Sequence, residues 1–257
     1  MNLGRILVIA SNVFREVIRD RVLYLIGFFA ILLLAAVALL PQVAAGTENK
    51  IILDVGLAAI EVLGLIVTVF VGTSLVNKEL EKRTVFVLIA KPISRSEFIV
   101  GKHLGLSAVL AVLLILMTAI YLGVLYFSRI PYPLVSTLIS VLYLFLQLSL
   151  ITAVALVFSV FTSSLLATLL TFAVYLMGHF TRDLVTLGNL SKNPDVQRLT
   201  QAIYLVLPDL SRLDLKNQAV YGILPDPTTL LVNAGYGLLY TVLLLAIAIL
   251  IFSAREF

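Results

Sequence analysis

The sequence predicts an all-α membrane protein, with six transmembrane helices preceded by an amphipathic helix lying in the membrane interface. Composition is the first reason. Of 257 residues, 61% are hydrophobic and only 12% are charged, whereas roughly a quarter of a soluble domain is charged. That balance excludes an ordinary soluble enzyme. The second reason is that apolar runs recur at close to the ~20 residues a helix needs to cross the hydrocarbon core. The third is that the remaining charge gathers in the connections. It is densest in residues 77–102, NKELEKRTVFVLIAKPISRSEFIVGK. The formal charge of +4 suits basic cytoplasmic loops rather than nucleic-acid binding. Without cysteine there is no disulfide framework or thiolate metal site, and His103 and His179 alone leave little for a histidine-based zinc or triad site.

Residues 1–21 place Leu3, Ile6, Leu7, Ala10, Val13, Phe14, Val17 and Ile18 at helical spacing, with Arg5, Asn12, Arg15, Glu16 and Arg19 largely opposite. Charges continue to Arg21 and no small-residue cleavage site follows, which favours an interfacial helix with its arginines toward lipid phosphates over a signal peptide. The first span covers 22–40 and is expected to stop at Pro41. A short polar link with Gly46, Thr47, Glu48, Asn49 and Lys50 leads to a second span over 57–76. Glu61 falls near the outer end of that span, where a carboxylate reaches the interface or faces a neighbouring helix. An ionisable residue inside a span is a functional candidate.

The third span covers 104–127, and Arg129, Pro131 and Pro133 turn the chain into the fourth, 134–161. There Gln147, Ser149 and Thr152 are candidates for interhelical hydrogen bonds. Thr162, Ser163 and Ser164 connect to a short fifth span, 165–180, ending at Gly178 and His179. His179 reads as an interface or interhelical residue rather than a ligand. Residues 181–229 form the one long polar stretch, broken by Pro194, Pro208, Pro225 and Pro227. Within it Val196, Leu199, Ile203 and Leu207 suggest an amphipathic helix packed on the membrane domain. The last span covers 230–252. Six spans put both ends of the chain on one side. Lys and Arg are more numerous and closer to span ends on the side holding 1–21, 77–102 and Arg255. Both termini and 77–102 are therefore expected in the cytoplasm, with 181–229 outside. The whole of 1–257 reads as one transmembrane domain.

Several chemistries are missing from the chain. It has no G-x-x-x-x-G-K-[ST], no H-E-x-x-H and no G-x-S-x-G. No catalytic or metal-ligating residues are assigned. Glu61 is the only carboxylate expected within a span, and with Gln147 it marks a candidate intramembrane polar site. Ion-driven carriers use buried ionisable groups near the midplane. Their scarcity points to an outside energy source and to cargo that is lipid-like or handled along an apolar path.

The charged connection has parts. Residues 77–83 continue the second span into water, with Glu79/Arg83 four apart and Lys78/Glu81 and Glu79/Lys82 three apart. Residues 84–90 (TVFVLIA, including Thr84, Val85, Phe86 and Leu88) lie flat in the interface or plug an apolar cleft on a partner. Lys91 before Pro92 breaks the segment. Ser94 and Glu97 then form a capping box for a helix that runs unbroken through Gly101 and Lys102 into the third span. Gly101 and Gly105 permit close packing against an unspecified neighbour. The result is a rigid elbow able to pass a push into two spans.

On Glu79, Glu81, Lys82, Arg83 and Thr84, then Ile89, Ala90, Lys91, Pro92, Ile93, Ser94, Arg95, Glu97, Phe98, Gly101 and Lys102, the connection resembles the first cytoplasmic loop of ABC-2-type permeases, the NosY-like branch in particular. The amphipathic start, six spans, long loop before the last span and Arg255-Glu256-Phe257 are similar to that branch too. The resemblance implies a type V exporter-like transmembrane domain that pairs with a second permease copy and two separate ATPase subunits. Those subunits would bind ATP and Mg, this chain holding no cofactor, and 77–102 would carry the coupling helix. Membrane lipids are the other expected partner, the bacterial cytoplasmic (inner) membrane the expected location, and nucleic acid is not expected.

The leading functional expectation is the permease subunit of an ATP-driven exporter of lipid-like or amphipathic cargo, with no enzyme activity of its own. The alternative is a non-transporting module that transmits ATPase strokes to an extracytoplasmic partner through 181–229. Deleting that loop discriminates between them. An intramembrane enzyme ranks third, since no nucleophile–base pair is visible.

Overall fold

A computed structural model describes residues 2–19, 23–43, 48–81, 94–191 and 193–254; within α-helices, the side chains of residues 23, 41–43, 48, 76 and 78–81 are outside that description. The described chain is helical: α1 (Leu3–Val17), α2 (Leu23–Val43), α3 (Glu48–Glu81), α4 (Arg95–Phe127), α5 (Leu134–Phe161), α6 (Ser164–Leu190), α7 (Pro194–Val206), a 3-10 turn (Leu210–Arg212), α8 (Lys216–Tyr221) and α9 (Pro227–Ala254). Among them α3, α4, α5, α6 and α9 are long and apolar enough to cross a membrane, and α2 adds the shorter apolar stretch Tyr24–Leu40.

Helix α5 is the hub. It is apolar nearly all round, with Leu144, Leu148, Ile151 and Val154 buried in the main core, and it meets α3, α4, α6, α8 and α9. The same core takes in Phe29 and Leu33 of α2, Ile52, Leu57 and Ile60 of α3, and Leu106, Leu110, Leu114 and Tyr121 of α4. Helices apolar on every side bury one face against protein and leave the other to lipid. On α6 and α9 the outward residues include Phe172, Leu176, Phe180, Leu239 and Leu243.

Span boundaries depart from the sequence reading at three places. Helix α2 passes through Pro41 to Val43. A proline one turn from a helix end gives up a single hydrogen bond, so it need not stop the helix. Helix α3 starts at Glu48, so most of the expected polar link is its first turn, and 34 residues make it about 50 Å long. Helix α6 does not end at Gly178–His179 but continues to Leu190. Gly178 is a packing site: a Cβ there would lie 2.7 Å from Leu210 and 2.9 Å from the Pro208 carbonyl oxygen. The fourth span matches the expected 134–161.

Residues 193–226 hold two short helices and a 3-10 turn. Asn193 caps α7 by accepting from the Asp195 N–H at 2.9 Å, with Pro194 in the first turn. The amphipathic helix expected there lies along α6, but none of its residues is buried and Leu199 is 62% exposed. Beyond it the chain turns inward, and Leu210, Leu213, Leu215 and Ala219 join the main core.

Candidate functional site

Three elements meet at one end of the bundle, around the start of α4. The capping box expected from Ser94 and Glu97 is formed: Ser94 Oγ accepts from the Glu97 N–H at 3.2 Å, and the Ser94 N–H donates to Glu97 Oε2 at 3.0 Å. The other carboxylate oxygen accepts from the Asn2 backbone N–H at 2.6 Å, and Arg5 Nη1 stands 3.8 Å from Oε2. Glu97 therefore caps its own helix and ties down the start of α1. Arg95 donates to the Phe252 carbonyl at 3.0 Å and to that of Ser253, placing a cation on the last turn of α9. Phe98 and Phe252 stack with ring centroids 5.6 Å apart.

Helix α1 crosses α4 where α4 has no side chains to obstruct it. A Cβ on Gly101 would lie 2.7 Å from Ile9, and one on Gly105 would lie 2.6 Å from Val13. The neighbour left open by the glycine spacing is thus α1, which buries Ile6, Val13 and Val17 while Leu3, Leu7 and Val8 stay exposed. Lys102 is buried, with its ammonium 5.5 Å from the Phe98 ring centroid. Helix α3 is fastened nearby: Thr73 Oγ1 and Thr168 Oγ1 are 2.9 Å apart, and Ser159 Oγ donates to the Thr73 carbonyl at 3.1 Å. Of the expected coupling residues, Lys82, Arg83, Thr84, Val85, Phe86, Leu88, Lys91 and Pro92 lie outside the described residues, as do the side chains of Glu79 and Glu81 and the ion pairs expected among them.

A second polar cluster forms around Glu61, near the middle of the apolar stretch Asn49–Leu75. Of the two expected orientations the carboxylate takes the one toward neighbouring helices; Glu61 is 2% exposed and faces α5, α6 and α8. Oε1 accepts from Tyr175 Oη at 2.7 Å and from Gln147 Nε2 at 3.1 Å, and Oε2 pairs with Lys216 Nζ. His179 Nδ1 is 2.9 Å from the Tyr175 carbonyl, which only accepts, so that nitrogen carries the proton and Nε2 is left to accept from Gln147 at 3.3 Å. His179 is thus interhelical, as expected. So is Ser149, whose carbonyl lies 3.1 Å from His103 Nε2. Thr152 is not: its hydroxyl donates to Leu148 in its own helix at 2.9 Å. Burial pulls the Lys216 ammonium down, but the Glu61 and Asp214 carboxylates outweigh it and hold the group above an ordinary lysine.

Sequence reasoning found Glu61 and Gln147 but missed Tyr175, His179 and Lys216 as their partners. It also missed Asp209, whose buried carboxylate accepts from Arg182 Nε at 2.8 Å, Arg212 Nε at 3.0 Å and Ser211 Oγ at 2.5 Å. The Asp209 N–H donates to Tyr236 Oη at 2.8 Å, which fastens the 3-10 turn to α9 as well as α6. Among the described residues no group of three or more metal-ligating side chains converges.

The described residues thus join an amphipathic helix seated on a capped α4, six apolar helices and a structured segment before the last one. The family model described as ABC-2 family transporter protein matches residues 7–257. The chain belongs to the ABC-2 transporter family. It is accordingly a multi-pass membrane protein and a permease component of an ABC transporter, a family membership that implies association with ABC ATPases. No curated protein matches the chain. In this ABC-2 permease, Ser94, Arg95, Glu97, Gly101 and Lys102 come together at one end of the bundle with α1 and α9. Glu61 and Gln147 come together separately, with residues of α6 and α8.

Proposed function

We propose that the chain is the permease half of an ATP-driven exporter of lipid-like or amphipathic cargo, working with a second permease copy and two ATPase subunits that bind ATP and Mg. Residues 77–102 serve as the coupling region, with Glu79, Glu81, Lys82, Arg83, Thr84, Val85, Phe86, Leu88, Lys91 and Pro92 facing the ATPase. This arrangement puts the bundle end holding Asn2, Ser94 and Phe252 in the cytoplasm of a bacterial inner-membrane protein, and 191–226 outside. The observation that carries the proposal is the junction at Glu97 and Arg95. A push on residues 82–93 reaches α4 at a capped end already tied to α1 and α9, so these helices move together. The outward apolar surfaces of α6 and α9 suit cargo of lipid character.

One observation favours a second reading, in which the strokes act on an extracytoplasmic partner. Helix α3 runs to Glu81 at the coupling end and is gripped at Glu61 by Lys216 of the outer segment, so a single rod joins the two. Deleting all of 181–229 would remove core residues of α6 and of the Leu210–Ala219 stretch. Removing only α7, none of whose own residues is buried, is the cleaner test. Reconstituted with its ATPase in vesicles, the α7 deletion retains ATP-dependent movement of a fluorescent lipid if the chain exports. Loss of partner association with no lipid movement in either form supports the second reading.

A further inference from the structure

The Glu61 cluster divides into a fixed part and a delivered part. Glu61, Gln147, Tyr175 and His179 stand on α3, α5 and α6, three spans of the bundle. Lys216 arrives from outside the spans, in the first turn of the six-residue α8. The carboxylate is only 3% exposed at its side chain while Lys216 is 25% and His179 19% exposed, so the cluster opens on the side that Lys216 fills. From these contacts we propose that Glu61, Tyr175, Gln147 and His179 form a binding cup for a primary ammonium group, and that Lys216 occupies it here as a tethered stand-in for the ligand.

The donors and acceptors define the ligand class. Oε1 of Glu61 already takes two hydrogen bonds, from Tyr175 and Gln147, so Glu61 offers only Oε2 toward the opening, with Asp214 Oδ2 on the other side of the ammonium. Single oxygens from two carboxylates suit the separate N–H donors of a compact ammonium. A guanidinium fork needs both oxygens of one carboxylate side by side, and a quaternary ammonium has no N–H to give. Charge excludes an anion: Asp214 Oδ2, 3.7 Å from Lys216 Nζ, adds a second carboxylate at the mouth. Phe172, Leu176 and Phe180 lie exposed on α6 beside Tyr175 and His179, so an alkyl chain along that face brings its headgroup to the cup. The ligand is therefore an amphiphile bearing a primary amine. Its role as cargo rests on the exporter proposal; the cup itself rests only on these contacts.

The experiment is chemical rescue of the full chain in detergent. Lys216→Ala leaves the buried carboxylate unpaired and lowers the melting temperature by roughly 5–10 °C. Methylammonium chloride restores most of the loss, whereas sodium, guanidinium and tetramethylammonium chlorides do not, and the Lys216→Ala/Glu61→Gln double variant does not respond. Dodecylammonium that restores stability at lower concentration than methylammonium identifies an amphiphile; rescue by methylammonium alone overturns the amphiphile assignment in favour of a free amine. No rescue, or equal rescue by sodium, overturns the cup and leaves Lys216–Glu61 a structural ion pair. A second measurement avoids the variants: in the wild-type protein, methylammonium and not tetramethylammonium speeds amide hydrogen exchange in Lys216–Tyr221, and unchanged exchange contradicts the proposal. Neither readout needs the ATPase. Rescue without ATPase association therefore sinks the exporter proposal alone, and coupled ATP turnover without rescue sinks the cup alone.

Discussion

The backbone N–H of Asn2 donates to Glu97 Oε1 at 2.6 Å, joining residues 95 positions apart in sequence. With Ser94 on the same carboxylate, one side chain fixes the start of two helices. Replacing it is expected to exceed the cost of losing a single cap. Glu97→Ala should lower the unfolding midpoint by more than Ser94→Ala does, since the Asn2 bond is lost along with the cap. Thermal unfolding in detergent measures this, and equal shifts for the two variants would mean the tie is not made. Gly101→Val tests the same junction from the α1 side. The clash with Ile9 should loosen α1 at a cost of about 1–3 kcal/mol, read from the same unfolding curves, and an unchanged midpoint would mean that α1 is not seated on Gly101.

Glu61 and Lys216 should behave as a unit. Breaking a buried pair by removing one partner costs about 3–5 kcal/mol, so Glu61→Ala and Lys216→Met should each be costly. The double variant should lose less than the two single losses together, because neither charge is then left alone. A thermodynamic cycle from unfolding midpoints gives the coupling. Additive losses would show that the two side chains do not share the interaction the structure displays.

Asp209 predicts an acid limit for the segment between α6 and α9. Burial pushes its carboxyl up, but hydrogen bonds from Ser211, Arg182 and Arg212 outweigh burial and hold it below the ordinary value of 3.8. A carboxyl with a depressed folded value contributes stability that is complete above the unfolded value and is lost as pH falls through the folded one. The difference in stability between wild type and Asp209→Asn, about 2 kcal/mol near neutrality, should stay constant down to about pH 5 and shrink below about pH 4. Melting curves across that range check it; a gap that widens on acidification contradicts the sign.

Much of the architecture was legible because spans are read from long apolar runs, and 134–161 was placed to the residue. The start of α4 was legible too, since a Ser followed three positions later by Glu ahead of an apolar run is a local signal with a local cause. What sequence did not reveal were long-range pairings. Lys216 is 155 positions from Glu61, and nothing around either residue names the other. Gly178 and His179 were misleading, because a glycine that ends a helix and one that admits a neighbouring Leu210 look alike in sequence. The glycines at 101 and 105 announced close packing, yet only the fold shows that α1 fills the gap.

A charge placed in TVFVLIA decides whether residues 77–102 couple the permease to its ATPase. In the permease copurified with its ATPase, Val85→Asp/Leu88→Asp should abolish the coupling of ATP turnover to the permease or dissociate the complex, while the stability of the isolated permease stays within about 1 kcal/mol of wild type. An intact complex whose ATP turnover remains coupled would contradict it.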